Sequence, residues 1–210
     1  VEKLFAEGRK PRGYEIFSDG PRNYYQRTDA YREVVKDPGY ARELGTFHAP
    51  DPLYEFMLEE RRLRNGQTVY DPHYVLRKAE MTGDRVERAE VDRDPVTGEM
   101  RVGLSFSSLG KTEFARVTAR YAPRGPGNAN SDVGRQLAIV LDGTLYSAPV
   151  IREAIPNGRA TISGAFSARD AAILRNTLNA GALPAPVKII EKRMVGPTLG
   201  SDAIRSGVFA

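Results

Sequence analysis

Gln136-Leu-Ala-Ile-Val-Leu141, Asp142-Gly143 and Thr144-Leu-Tyr-Ser-Ala-Pro-Val-Ile151 follow one another without a break, and their reading decides the fold class. The first is an apolar run of strand length, the pattern of a strand buried on both faces. Asp-Gly is the two-residue signature of a type I′ turn, so the run folds back on itself as a hairpin. Pro149 inside the returning strand implies a sheet edge, because it removes a ladder donor.

Upstream, Val86–Asp94 and Met100–Phe106 flank the Gly-containing loop Pro95-Val-Thr-Gly98 and read as a second hairpin. Ser107 or Ser108 then caps a helix from Leu109 to Tyr121, with Phe114, Val117 and Tyr121 on one face. Residues 123–134, rich in Gly, Asn and Pro, predict a mobile surface loop. Downstream, Asn157-Gly158 turns the chain into a strand at Arg159–Ser163. Ser167-Ala-Arg-Asp170 opens a helix running to about Ala180, with Ala171, Leu174 and Leu178 inward and Gly181 to stop it. Val187–Val195 is the closing strand. The order from about residue 86 is therefore β-β-α-β-β-β-α-β. That is an α+β fold, expected as a mixed β-sheet with two helices on one face and crossovers that allow parallel pairing.

Residues 1–80 are punctuated by Pro, Gly and Asp and predict an irregular part with short helices, one of them from Thr28 or Asp29 to Lys36. Leu53–Leu63 fits a helix by Leu53, Phe56, Met57 and Leu58, and a strand by Tyr54, Phe56 and Leu58.

The formal charge of +4 over 210 residues is small, and the excess lies after residue 80 among interleaved opposite signs, which reads as a solvated surface. Cys is absent, which removes disulfides, thiolate catalysis and Cys-ligated zinc. No apolar run approaches the roughly 20 residues of a membrane helix. The start has neither initiator Met nor signal core, and both ends read as cut.

Gly110-Lys111-Thr112 follows a strand and opens a helix as a phosphate loop would, but Ser105 stands where a Walker A loop requires Gly. A phosphate- or nucleotide-binding enzyme built on these residues is the rival functional reading. His48 and His73 have no partner His at ligand spacing and read as exposed loop residues, so no metal and no cofactor are expected. No Ser elbow and no acid–base pair is flagged by spacing, so no catalytic residue is assigned. Pro21-Arg-Asn-Tyr-Tyr-Gln-Arg27 mixes rings and cations, but its tyrosines read as core rather than as a nucleic-acid surface.

Several segments, in order, resemble the SecD family of protein-export membrane proteins. They are Met81-Thr-Gly-Asp84, Val102-Gly-Leu-Ser-Phe-Ser-Ser-Leu-Gly110, Leu137-Ala-Ile-Val-Leu-Asp-Gly143 with Ser147-Ala-Pro-Val-Ile151, Ile162-Ser-Gly164, Leu178-Asn-Ala-Gly-Ala-Leu-Pro-Ala-Pro-Val187 and Val195-Gly-Pro-Thr-Leu-Gly200. The resemblance runs from Met81 to Gly200, with a weaker match at Pro11-Arg-Gly-Tyr-Glu15. It implies the large extracytoplasmic (periplasmic) region between the first two membrane helices of an RND-type subunit. Residues 1–80 would be an irregular part of the head, 81–182 the α/β head, 183–197 a strand returning to a membrane-near base, and 198–210 the lead-in to a missing membrane helix.

The function so implied is binding of an unfolded secretory polypeptide and assistance to proton-motive-force-driven export, without catalysis. The implied partners are SecF, the Sec channel and, through missing helices, the membrane, with no nucleic acid. Within that reading, Tyr146, Pro149, Ile151 and Phe166 are candidate polypeptide contacts, because Pro149 marks an edge where another chain can add. Gly181, Leu183, Pro184 and Pro186 are the candidate hinge, an extended link fixed by its prolines.

Overall fold

The computed structural model describes residues 1–63, 65–180 and 187–190, with 163–166 and 187–190 described by backbone alone. Short helices are present in the first 80 residues as α1 (Glu2–Ala6), α2 (Tyr31–Val34) and α3 (Tyr40–Gly45), but α2 is shorter than the helix expected from Thr28 or Asp29 to Lys36, and its N-cap is Ala30, with no side-chain cap bond. Around them run strands, of which the sequence offered only the one within Leu53–Leu63, and that as an alternative to a helix. β1 (Tyr14–Asp19) and β2 (Arg22–Arg27) form a hairpin over Gly20, whose φ is 58°. β3 (Tyr54–Arg62) pairs along its whole length with β4 (Thr68–Leu76), which settles the ambiguity at Leu53–Leu63 in favour of the strand. Period two wins there because Tyr54, Phe56 and Leu58 all pack into one aromatic cluster while Met57 enters another core. Pro72 lies in β4 between the points where its other edge is joined, at Tyr70 and at Val75, and interrupts neither pairing.

From residue 86 the element order is as expected. β5 (Val86–Arg93), β6 (Met100–Phe106), α4 (Ser108–Tyr121), β7 (Gln136–Leu141), β8 (Thr144–Ser147), β9 (Arg159–Phe166), α5 (Ala168–Asn179) and β10 (Val187–Ile190) follow in turn. Asp142 and Gly143 both take positive φ, 48° and 75°, as a type I′ turn requires. The Ser107 hydroxyl accepts from the Gly110 N–H, and Ser167 and Asp170 close a reciprocal capping box. β8 is shorter than the sequence suggested, but the chain returns to β7 through an isolated antiparallel bridge between Gln136 and Val150.

The α+β class stands, while the pairing departs from a single mixed sheet with parallel crossovers. Among the described residues every pairing is antiparallel, and the strands divide between two sheets. One is β5-β6-β9, and the other contains β1-β2-β4-β10-β7-β8 with β3 on β4. The division follows from edge occupancy: β6 has β5 and β9 on its two edges, so β7 must pair elsewhere. β7 takes an inner position between β10 and β8, with Leu137, Ile139 and Leu141 in one core and Ala138 and Val140 in another. The core on the first side also holds Val102, Leu104 and Phe106 of β6 with the inward residues of both α4 and α5.

The segment 123–134, expected as a mobile surface loop, is folded onto the C-terminal end of α4. The Arg124 N–H donates to the Ser131 carbonyl at 2.9 Å, and the buried Asn128 amide donates to the carbonyls of Ala122 (3.3 Å) and Val133 (2.8 Å). Asn128, rather than any large apolar residue, ties the segment to the helix end by satisfying the Ala122 and Val133 carbonyls.

Candidate functional site

Between the face of the three-stranded sheet and the first side of β7 lies a cleft of about 500 Å³. Leu104 and Phe106 of β6, Phe114 of α4, Leu137 and Ile139 of β7 and Ile151 form much of its wall. Thr82, Thr118, Thr161, Arg152 and Glu153 contribute the polar groups. Apolar surface dominates, and the two charged residues have opposite signs. Such a lining favours apolar groups without selecting a net charge, and the volume lies in the range that buries a small ligand or an equivalent set of side chains.

One rim is the segment 149–155, held from two sides. The Ile151 N–H donates to the Arg135 carbonyl at 2.9 Å, and the Leu137 N–H donates to the Pro149 carbonyl at 2.8 Å. Gly134 permits this approach: a Cβ there would lie 1.6 Å from the Ile151 carbonyl oxygen. From the other side the buried Thr118 hydroxyl accepts the Ile155 N–H at 2.9 Å while donating to the Phe114 carbonyl at 2.8 Å. The rim is thus tied to β7 and to α4 by polar contacts, with the cleft between them among the described residues.

The sequence-predicted contacts fall unevenly on this site. Pro149 and Ile151 line it, but Ile151 is only 5% exposed, so it is a wall residue rather than a protruding one. Tyr146 is half-buried against the same core, outside the cleft lining. Phe166 stands at the end of β9 opposite Met100, with its side chain outside the described residues. The hinge candidates Gly181, Leu183, Pro184 and Pro186 also lie outside the described residues. Leu104, Phe106, Phe114 and Ile139 were not singled out as contacts; alternation along β6 and β7, and the helical face of α4 for Phe114, mark them as inward without saying that they line a cleft.

His48 is exposed, as read, but His73 is not a loop residue. It lies in β4, 5% exposed, and its Nε2–H donates to Glu59 Oε2 on β3 at 3.2 Å. One ligand atom each of Glu59, Asp71 and His73 lie within 4.8 Å of one another, a set with metal-ligating chemistry. Arg61 already supplies a cation to it, 3.0 Å from Glu59 and 3.2 Å from Asp71. Burial pushes the Glu59 carboxyl up, but His73 and Arg61 outweigh it and hold the group below its ordinary value.

Gly110-Lys111-Thr112 takes a structural part. A Cβ at Gly110 would lie 2.5 Å from the Arg85 carbonyl, so glycine lets α4 start against the Gly83–Arg85 turn. The Gly110 and Lys111 N–H groups, which a phosphate would need, donate to Ser107. Tyr24 and Tyr25 are buried, so the aromatic–basic segment 21–27 offers neither ring for base stacking.

Residues 57–185, more than half of the chain, match the family model of SecDF, P1 head subdomain. Protein translocase subunit SecD of Syntrophobacter fumaroxidans is 45% identical over 130 residues, covering 62% of this chain and 22% of that protein. The SecD of Calditerrivibrio nitroreducens is 44% identical over 146 residues, covering 69% of this chain and 26% of that protein. The chain thus spans about a quarter of the length of these curated relatives. A crystal structure of SecDF in a super-membrane-facing form is 39% identical, covering 63% of this chain and 16% of that chain, with a TM-score of 0.43.

Proposed function

The chain belongs to the SecDF family, by its P1 head subdomain, and from that premise we propose that it is the part of a protein-export subunit that holds the polypeptide in transit. The observation that supports this reading is the apolar cleft of about 500 Å³ between β6, α4 and β7. An unfolded chain differs from a folded one in exposing apolar side chains and unpaired backbone. A cleft walled by Leu104, Phe106, Phe114 and Ile139 rewards the first of these differences. Its lack of a one-signed charge suits a site that must accept many sequences.

Under this proposal the chain lies on the extracytoplasmic face of the membrane and acts together with SecF and the Sec channel. The energy of transport comes from the proton-motive force and is transduced outside this chain. Residues 81–182 form the holding head, 183–197 return to a membrane-near base and 198–210 lead into a membrane helix. Gly181, Leu183, Pro184 and Pro186 form the hinge on which the head swings. Among the described residues no helix is long and apolar enough to cross a membrane.

The test places photoreactive side chains singly at Pro149, Val150 and Ile155, all of which border the cleft, and exposes the chain to an unfolded secretory polypeptide, with Val69 and Val102, both fully buried, as controls. Adducts concentrated at the cleft positions are expected. Adducts no stronger than at the controls would remove the proposal.

A further inference from the structure

The rim of the cleft carries a short length of unpaired strand. In the bridge between Gln136 and Val150, the Pro149 carbonyl accepts from Leu137 of β7 and the Ile151 N–H donates to Arg135, the residue just before β7. Antiparallel geometry then turns the N–H and C=O of the residue between them away from β7. Those groups belong to Val150, which is 44% exposed, borders the cleft and has no hydrogen bond to any described residue. The other flank of the same fold is treated differently. On the outer edge of β5, the Asn179 side chain donates to the Ala89 carbonyl at 2.8 Å and accepts the Ala89 N–H at 2.6 Å. One amide there stands in for a neighbouring strand, and the charged residues Glu87, Arg88, Glu90, Asp92 and Arg93 guard the rest of that edge.

We propose that an extended polypeptide segment binds by antiparallel strand addition to Val150, with alternate apolar side chains inserted into the cleft. This rests on the polypeptide-holding reading above and specifies its mode. The geometry sets a parity. The residue exchanging both backbone bonds with Val150 points to the same face as Val150, and its two neighbours point to the face of Pro149 and Ile151, which is the cleft. Apolar residues at every second position therefore enter the cleft, and the residues between them make the backbone bonds. Backbone pairing is independent of side-chain identity, which suits a site for varied sequences.

The test uses the whole 210-residue chain and three fluorescent ten-residue peptides of alternating Leu and Ser. One is unmodified, one carries N-methyl groups on every Ser nitrogen and one on every Leu nitrogen. Side-chain alternation pins the register, since a one-residue slip would turn every Leu out of the cleft. The Ser-methylated peptide is expected to bind about tenfold more weakly than the unmodified one, and the Leu-methylated peptide to bind nearly as well. Amide hydrogen exchange at Val150 should slow when the unmodified peptide binds. Equal binding of all three peptides, equal loss in both methylated ones, or unchanged exchange at Val150 overturns strand addition and leaves the polypeptide-holding reading in place. Failure of the unmodified peptide to bind overturns both.

Discussion

Residues 1–80 and residues 81–180 solve the problem of a core in opposite ways. The first part packs rings on rings: Tyr25 contacts Phe5, Tyr14 and Phe56, and Phe56 also contacts Phe47 and Tyr74, mostly edge to face. Its polar tips are satisfied, with the Tyr25 hydroxyl donating to the Arg9 carbonyl and the Arg27 guanidinium lying 4.1 Å from Tyr31 and 4.4 Å from Tyr70. The second part relies mainly on aliphatic residues from two sheets and two helices, with Phe106 stacked on Phe114, and the sheets stand apart where the cleft opens. Rings fill a small irregular volume because each is large and few need be placed. Two regular layers held apart by a tied rim leave apolar surface for something else to cover.

The largest expected effect tests that contrast directly. Phe56→Ala should cost toward the upper end of about 3–5 kcal/mol, and Phe106→Ala, which borders the cleft, toward the lower end, as read by urea denaturation. Equal costs would mean that the cleft is closed in solution. Next, Gly134→Ala should cost about 2–3 kcal/mol and expose the Ile151 amide to hydrogen exchange, since its Cβ would collide with the Ile151 carbonyl. A smaller loss with Ile151 still protected would show that the rim gives way without cost.

Glu59→Gln should cost about 1–2 kcal/mol at neutral pH by breaking a buried charged network. Because the folded state holds the Glu59 carboxyl below its ordinary 4.5, its contribution is present above that pH and is lost as pH falls further. The stability gap between wild type and Glu59→Gln should therefore narrow on acidification below about pH 4.5, and a gap constant down to pH 2 would contradict the assigned network. Smallest of all, Val150→Ala should change stability by no more than about 0.5 kcal/mol, because that side chain is half-exposed. A greater loss would make the rim part of the core rather than a surface left open.

Much of the second part could be read from the residues in order. The Asp142-Gly143 turn, the Ser167 cap and the buried run of β7 each depend on contacts within a few residues, and each is where the sequence placed it, while the cap of α4 is Ser107, one of the two serines the sequence offered. The first part was less legible because its hairpins carry signals that point two ways. Pro72 sits inside β4, and Glu59 and His73 are polar residues at buried positions, so the strands lose both their unbroken run and their apolar alternation. What makes these residues tolerable is a partner across the hairpin, as Glu59 is to His73 and Arg61, and spacing along one strand does not reveal a register with another.

The sequence by itself determined the α+β class, the order of elements from residue 86, the turn and cap residues and the family, since all of these are carried by local patterns and by the succession of motifs. Tertiary structure alone decided that the described strands divide into two antiparallel sheets, that His73 is buried against Glu59, and that Leu104, Phe106 and Ile139 line a cleft among the described residues. The physical reason is that periodicity tells which face of an element avoids water. How closely two such faces meet depends on edges already occupied and on a rim held off by Gly134 and Thr118, contacts between residues far apart in the chain.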